Sequence, residues 1–389
     1  MEQNPSPTIS ELGNSAGCKS CGAILKFAPG TNKLQCEYCG HENEIAVSSD
    51  AEPIVELNFH QYLNTESSTS KETQQLSTVK CTGCGAESTL KPNVTADECA
   101  FCGTALVLKN ASITTNIKPR SVLPFKVDKK QANESFTKWL GSLWFAPGDL
   151  RKYAIADKLN GMYIPYWTYD TNTDTNYSGE RGIDRQETEY YTTEENGRTV
   201  ERTRTRTVTD WYHVSGDVQN NFDDVLVNAS NSLPRDFVDA LEPWDVQALV
   251  PFNENYLAGF RSESYQIGLK DGFEMAKNKM QATIDQSIRS DIGGDQQRIH
   301  SKDTNYNNIT FKHTLFPLWI SSYRYRNKSF RFLINARTGE TKGDRPYSKG
   351  KITSAILTGI IALSCFGLGI YAGLIAVAIF LVLLFKVFK

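Results

Sequence analysis

From Ile352 to Phe385 the chain runs for 34 residues without Asp, Glu, Lys, Arg, His, Asn, Gln or Pro. Roughly 18–20 consecutive apolar residues are enough to cross a bilayer, so residues 352–385 are expected to be membrane-embedded. As one helix the run would be about 51 Å long, against a hydrocarbon core of about 30 Å. Either a strongly tilted transmembrane helix or a helical hairpin satisfies that length. A hairpin would turn near Phe366–Gly373, where Gly367, Gly369 and Gly373 cluster. Lys342, Arg345, Lys349 and Lys351 flank one end, and Lys386 and Lys389 the other. Basic residues at both ends favour the cytoplasmic side for each, which a hairpin provides. The expected location is the cell membrane, with the bulk of the chain on the cytoplasmic side. Cys365, deep in this run, reads as a small apolar filler.

Eight of the nine cysteines fall in two copies of one pattern. The first is Cys18-x2-Cys21 followed by Cys36-x2-Cys39. The second is Cys81-x2-Cys84 followed by Cys99-x2-Cys102. A glycine follows each pair: Gly22, Gly40, Gly85 and Gly103. This spacing lets two thiolates reach one tetrahedral ion, and the glycine relieves the backbone that wraps around it. The N-terminus has no basic n-region and no apolar h-region, so a secretory disulfide framework is disfavoured. Two structural Zn²⁺ ions are expected, one in each zinc ribbon. Four cysteines per ion leave no open coordination position for catalysis. The lysines of both ribbons are matched by nearby acids, and the net charge of the chain is −2. Neither ribbon offers the basic face that phosphate binding requires, so nucleic acid is not expected as a partner.

The expected organisation is a disordered leader (1–16), zinc ribbon 1 (17–46), a linker (47–78), zinc ribbon 2 (79–108), a central domain (109–346) and the membrane segment (352–385). The fold class is α+β, with a β-rich mixed central domain. Asp128 and Gln131 occupy capping-box positions ahead of a helix carrying Phe136, Leu140 and Leu143 at helical spacing. Leu269 to Ile292 reads as a long amphipathic helix stopped by Gly293-Gly294. Ser232, with Pro234 in the first turn, predicts the start of a short helix. Asn196-Gly197 is a two-residue hairpin signal. The register it sets puts Glu189 opposite Arg204, Glu187 opposite Arg206 and Tyr191 opposite Arg202. The Arg-Thr repeat is then a cross-strand ion-pair ladder rather than a nucleic-acid stripe. The strings MYIPYWTYD and LFPLWISSY share Pro-x-Trp, at Pro165/Trp167 and Pro317/Trp319. They mark either two related β-units or two aromatic strands of one sheet. His41 reads as a surface residue, His60 has no partner nearby in sequence, and His313 reads as a core histidine. His300 and Asp303 form no recognised motif.

No GxxxxGK[ST], HExxH, GxSxG or strand-linked GxGxxG is present, and no free polar cysteine offers a nucleophile. The chain resembles a family of uncharacterised bacterial membrane proteins with N-terminal zinc ribbons. The strings that carry the resemblance are LPFKV, KWLGSLWFAP, GMYIPYW, YSGERG, FDDVLVNAS, LEPWD, YLAGF, DIGGDQQRIHS, TFKHTLFPLW and INARTGE, between Cys18 and Tyr347. Its members are often called primosomal replication-restart helicases, but this chain lacks an ATP-binding loop, so helicase activity is not carried over. The resemblance implies partners among band-7-type scaffold and phage-shock-type proteins in envelope stress. The expected function is a non-enzymatic, membrane-anchored zinc-ribbon adaptor or scaffold that recruits protein partners. The alternative is a membrane-tethered nucleic-acid binder acting through the ribbons.

Overall fold

The computed structural model describes residues 17–45, 54–64, 73–82, 85–89, 96–99, 104–107, 111–153, 159–195, 197–326 and 328–365. Three short strands open the chain: β1 (Lys26–Phe27), β2 (Lys33–Gln35) and β3 (Glu42–Glu44), in one antiparallel sheet. Next come β4 (Leu57–Asn58) and α1 (Phe59–Asn64). The Asn58 side chain accepts the Gln61 N–H at 2.9 Å, and Phe59 is buried. The segment 54–64 is therefore seated on the rest of the protein. β5 (Thr73–Lys80), β6 (Glu87–Thr89), β7 (Ala96–Glu98), β8 (Ala105–Val107) and β9 (Ala111–Ile117) follow, in sheets β6-β5-β9 and β7-β8.

The central domain begins with β10 (Ser121–Val122), α2 (Lys129–Ser142), α3 (Leu150–Tyr153), β11 (Asn160–Glu195), β12 (Arg198–Asn228), α4 (Arg235–Asp239) and β13 (Val250–Pro251). It continues through β14 (Arg261–Ser262), α5 (Leu269–Ile292), β15 (Gln296–Tyr325), β16 (Lys328–Asn335), β17 (Thr341–Gly343) and α6 (Lys349–Cys365). A nine-stranded sheet runs β12-β11-β15-β10-β13, with β14 on β11, β16 and β4 on β15, and β17 on β16.

Local chemistry sets the helices. The Gln131 N–H donates to Asp128 Oδ1 at 2.7 Å, and the Asp128 N–H donates to Gln131 Oε1 at 3.0 Å, closing the capping box of α2. α5 buries Phe273, Ala276, Met280, Ile284, Ile288 and Ile292 along one stripe and ends at Gly293 with φ of 67°. A Cβ at Gly272 would lie 2.4 Å from Tyr169 Oη and 2.8 Å from Trp167 Cδ1, so only glycine lets the helix close on the sheet there. α4 carries no side-chain cap; Ser232 instead donates to buried Glu263.

The sheet is covered on both faces where β11 and β15 cross the middle. Tyr163 packs with α2 and the first ribbon, and Trp167 packs with α5. The alternating Met162, Ile164 and Tyr166 pack with the second ribbon and α4. Strands buried on both sides read as continuous apolar runs, hence the two aromatic strings. Those strings are direct neighbours: Tyr163 lies opposite Pro317, Pro165 opposite Leu315 and Trp167 opposite His313.

The two strings also belong to two copies of one unit. β10 pairs in parallel with β15, at Ser121–Thr314; β14 pairs in parallel with β11, at Met162–Arg261. Leu123 N–H donates to the Leu315 carbonyl, and Glu263 N–H to the Tyr163 carbonyl, both at 2.9 Å. Trp319 Nε1 donates to the Val127 carbonyl just before α2; Trp167 Nε1 donates to the Ile267 carbonyl just before α5; each bond is 2.9 Å. Ala336 N–H donates to Pro317, and Ala229 N–H to Pro165. Each proline sits where one outer neighbour ends and the next begins: β14 then β12 along β11, and β10 then β16 along β15. A residue without an N–H costs nothing in such a gap. The Pro-x-Trp strings are therefore both strands of one sheet and equivalent parts of a duplicated β-α-β-β unit, with the first strands exchanged.

Two sequence expectations are corrected. The described fold is mostly β-sheet rather than a mixed α+β arrangement with a membrane helix. The reason is length: β11, β12 and β15 have 36, 31 and 30 residues, and absorb segments that read as separate short strands. Among the described residues no helix is long and apolar enough to cross a membrane. α6 has 17 residues, or about 26 Å, against a bilayer core of about 30 Å. The rest of the expected span, and the expected leader, lie outside the described residues.

Candidate metal centre

Cys18, Cys21, Cys36 and Cys39 converge so that their four sulfurs lie within 4.8 Å of one another. Cys18 and Cys39 sulfurs are 3.5 Å apart, as are those of Cys21 and Cys36. These separations are far too long for a disulfide, whose S–S bond is about 2.05 Å. Tetrahedral thiolates at about 2.3 Å from one ion would lie about 3.8 Å apart, so the group fits a single metal.

The backbone builds this geometry twice. In the first knuckle the Cys18 N–H donates to Ala23 at 2.7 Å, and the Gly22 N–H returns to Cys18 at 2.8 Å. In the second, Cys36 N–H donates to His41 and Gly40 N–H returns to Cys36, both at 2.9 Å. Gly22 and Gly40 have φ of 73° and 72°, the left-handed region that disfavours a side chain. N–H groups of Cys39 and Tyr38 point at the Cys36 sulfur and pull its thiol down to about 7, against burial. Burial opposes ionising Cys18, but the N–H groups of Ser20 and Cys21 prevail and lower it. Cys21 goes the other way: the Ala23 N–H favours its thiolate, but hydrogen bonds with the Cys36 and Cys39 sulfurs and burial push its thiol up to about 12. Cys18 and Cys36 are the ones tuned toward the thiolate a bound cation requires.

The second ribbon repeats the knuckle backbone. Cys81 N–H donates to Ala86 at 2.8 Å, Gly85 N–H returns to Cys81 at 2.9 Å, and Cys99 N–H donates to Thr104 at 2.8 Å. Gly85 has φ of 77°. Cys81 and Cys99 are buried. Cys84 and Cys102 lie outside the described residues.

Ribbon 1 is joined firmly to the central domain. Phe27 N–H donates to Ala258 at 3.0 Å, and Gly30 N–H to Phe125 at 2.8 Å. The Phe27 ring meets Tyr256 edge-on at 5.2 Å. Its outer surface differs in kind. Tyr38 is 85% exposed and Ile24 64%, both beside metal-ligand cysteines. Lys26 is paired with Glu37, and Lys33 with Glu42 at 2.8 Å.

The remaining sequence candidates are dispersed. His41 and His60 are exposed. His313 is buried, with Nδ1 2.8 Å from the Ile117 carbonyl, and burial holds it down to about 4, so it is neutral. His300 Nε2 lies 3.4 Å from Glu180 Oε2 on an exposed strand. The residues of the two-stranded arm, where β11 and β12 run on alone from Ile183–Asp210 to Glu195–Arg198, pair as read: Arg204 Nε to Glu189 at 2.9 Å and Arg206 to Glu187 at 3.5 Å.

Sequence reasoning missed a charge cluster at the bulge in β11. Lys312 Nζ bonds Glu56 at 2.9 Å and Asp224 at 2.8 Å. Asp170 Oδ1 accepts the Asp224 N–H at 2.6 Å. Burial, then the proton shared with Glu56, push Asp170 up to about 7. That hydrogen bond from Asp170, against burial, draws Glu56 down to about 2. The four groups come from β11, β12, β15 and the segment before β4, so no local pattern connects them.

No family model matches the chain. It is similar to the Bacillus subtilis (strain 168) protein named uncharacterized protein YdjG, at 28% identity over 248 residues, which cover 62% of this chain and 68% of that relative.

Proposed function

We propose that the protein is a non-catalytic adaptor that binds protein partners at the cytoplasmic surface of the cell membrane through its zinc ribbons. The observation that carries this reading is the outer surface of ribbon 1. Tyr38 and Ile24 are displayed to solvent while Lys26 and Lys33 are spent on Glu37 and Glu42. Exposed aromatic and aliphatic side chains on a rigid support suit a protein interface. Paired lysines do not suit a phosphate backbone. The metal is Zn²⁺, and its role is structural, since four thiolates complete a tetrahedral shell. The knuckle backbone at Cys81 and Cys99 supports a second ion held together with Cys84 and Cys102. Band-7-type scaffold and phage-shock-type proteins are the partner classes to test first.

Metal analysis of the full chain is expected to return about two zinc per chain, and Cys36→Ser about one. Tyr38→Ser with Ile24→Ser is expected to keep both ions and lose binding to a purified band-7-type or phage-shock-type partner. Unchanged binding by that variant overturns the ribbon interface. A salt-dependent shift of a DNA or RNA probe, abolished by Cys36→Ser, replaces the adaptor with a nucleic-acid binder.

A further inference from the structure

Several cations of this protein face carboxylates: Lys26 and Lys33 on ribbon 1, Arg204 and Arg206 on the β11–β12 hairpin, and Lys312 at the β11 bulge. A second group collects where α6 leaves the central domain. Residues 128–153 and 342–351 hold nine Lys and Arg against four Asp and Glu, in a chain whose net charge is −2. Among the described residues, Lys130, Lys138, Arg151, Lys152 and Lys349 make no ion pair.

The backbone gathers these segments into one surface. The loop from Leu143 to Asp149 joins α2 to α3, and the N-terminus of α6 is fastened to it. Ser348 N–H donates to the Phe145 carbonyl at 2.7 Å, and Lys351 Nζ donates to the Ala146 carbonyl at 2.8 Å. At the tip of this loop Trp144 is 84% exposed, with its ring 6.0 Å from that of Phe145. Beside the loop, α2 and α3 border an open groove of 560 Å³ lined by three cations, Lys130, Lys138 and Arg151, one carboxylate, Glu134, and Asn133, Thr137 and Gly141. Beyond it α6 carries exposed Leu357, and the sequence stays free of charge to Phe385.

We propose that this collar, Trp144 with Lys130, Lys138, Arg151, Lys152 and Lys349, is the face that lies on an anionic lipid bilayer. Tryptophan suits the headgroup level, where its ring is half in hydrocarbon and its N–H stays wet. Unpaired cations on the same surface match phosphatidylglycerol-type headgroups, and the groove has the volume to take a phosphate, with three cations against the one carboxylate of Glu134. The ribbon surface of Tyr38 remains available to protein partners. The inference rests on the membrane reading above and assigns it a specific surface.

The test uses the full chain mixed with vesicles of phosphatidylcholine, with and without phosphatidylglycerol, whose acyl chains carry bromine near the headgroup. Trp144 is expected to be quenched on the anionic vesicles, less so at raised salt, and Trp144→Phe to remove most of the quenched emission. Each cation near an anionic surface strengthens binding by about fivefold. Lys138→Gln with Arg151→Gln and Lys152→Gln should therefore weaken association by about a hundredfold. These side chains are exposed, so unchanged zinc content verifies that the variants are folded. A chain that floats with no vesicle overturns both the membrane reading and the collar. A chain that floats on anionic and neutral vesicles alike overturns the collar alone, as does quenching unaltered by either variant. Displacement from the vesicles by duplex DNA, with Trp144 still exposed to solvent, also overturns it.

Discussion

The two halves of the central domain share one plan and differ in reach. In the second half, β15 and β16 pair from Leu318–Asn335 to Tyr325–Lys328 and stop. In the first, β11 and β12 start at the matching place, Tyr166–Asn228, and continue to Glu195–Arg198. The helices follow suit: α2 has 14 residues and α5 has 24. Cover explains the difference. Along β11, Thr171, Thr173, Thr175 and Tyr177 are buried while alternate residues are not, because α5 shields one face only. α5 ends at Ile292, and β15 leaves the sheet at Gly182–Gln296. From there the arm has two strands and polar residues on both faces. A strand in this protein is apolar on both faces where two layers cover it, alternating where one does, and mostly polar where none does, with Ile183, Tyr190 and Tyr191 left exposed.

That comparison can be broken most directly at the equivalent tryptophans. Trp167→Ala is expected to cost about 3–5 kcal/mol in denaturant unfolding, and Trp319→Ala somewhat less, since it is the less buried of the two. A benign result at either site would mean that the halves are not held by the same bond. Next come Asn228 and Asn335. Asn228 Oδ1 accepts the Ser230 N–H at 3.2 Å, and Asn335 Oδ1 accepts the Arg337 N–H at 2.8 Å. Alanine at either should cost about 1–3 kcal/mol, and similar costs would sharpen the equivalence.

A smaller effect separates the halves. Asp170 titrates at about 7 when folded, whereas its counterpart in the second half is Ser322. An unfolded Asp titrates near 4, so the folded state holds an extra proton between those limits. Stability at this site should fall as pH rises from about 4 to about 7. Asp170→Asn should flatten that slope in melting curves taken across the range, and an unaltered slope would remove Asp170 as its origin. Smallest of all, Glu189→Ala with Arg204→Ala on the exposed arm should leave the melting temperature unchanged. A marked drop would show that the arm supports the core.

Much of this was legible locally. The helix from Leu269 to Ile292, the Asp128–Gln131 box, the arm register and the first cysteine quartet each follow from spacing within a few turns or one hairpin. The Glu56–Asp170–Asp224–Lys312 cluster was not legible, because its members meet only after three long strands align. The duplication was legible only as one of two readings: the shared Pro-x-Trp allowed two related β-units, and VLVNAS and FLINAR resemble each other. Its proof is a set of backbone bonds made between the halves. The expected membrane helix came from counting apolar residues, and α6 covers only the first part of that count.

The exchanged first strands have a consequence for biogenesis. Ser121 bonds Thr314 across 193 residues at 2.7 Å, so β10, which also pairs with β13, cannot join the middle of the sheet until β15 has been made. Neither half can close over its own core alone, and separately expressed halves should be sticky and poorly soluble. During synthesis the Cys18–Cys39 quartet is complete early, while the sheet behind it must wait, a late and slow closure of the kind long-range strand pairing imposes. The arrangement is also what two intertwined copies of a smaller protein would leave behind once fused into one gene.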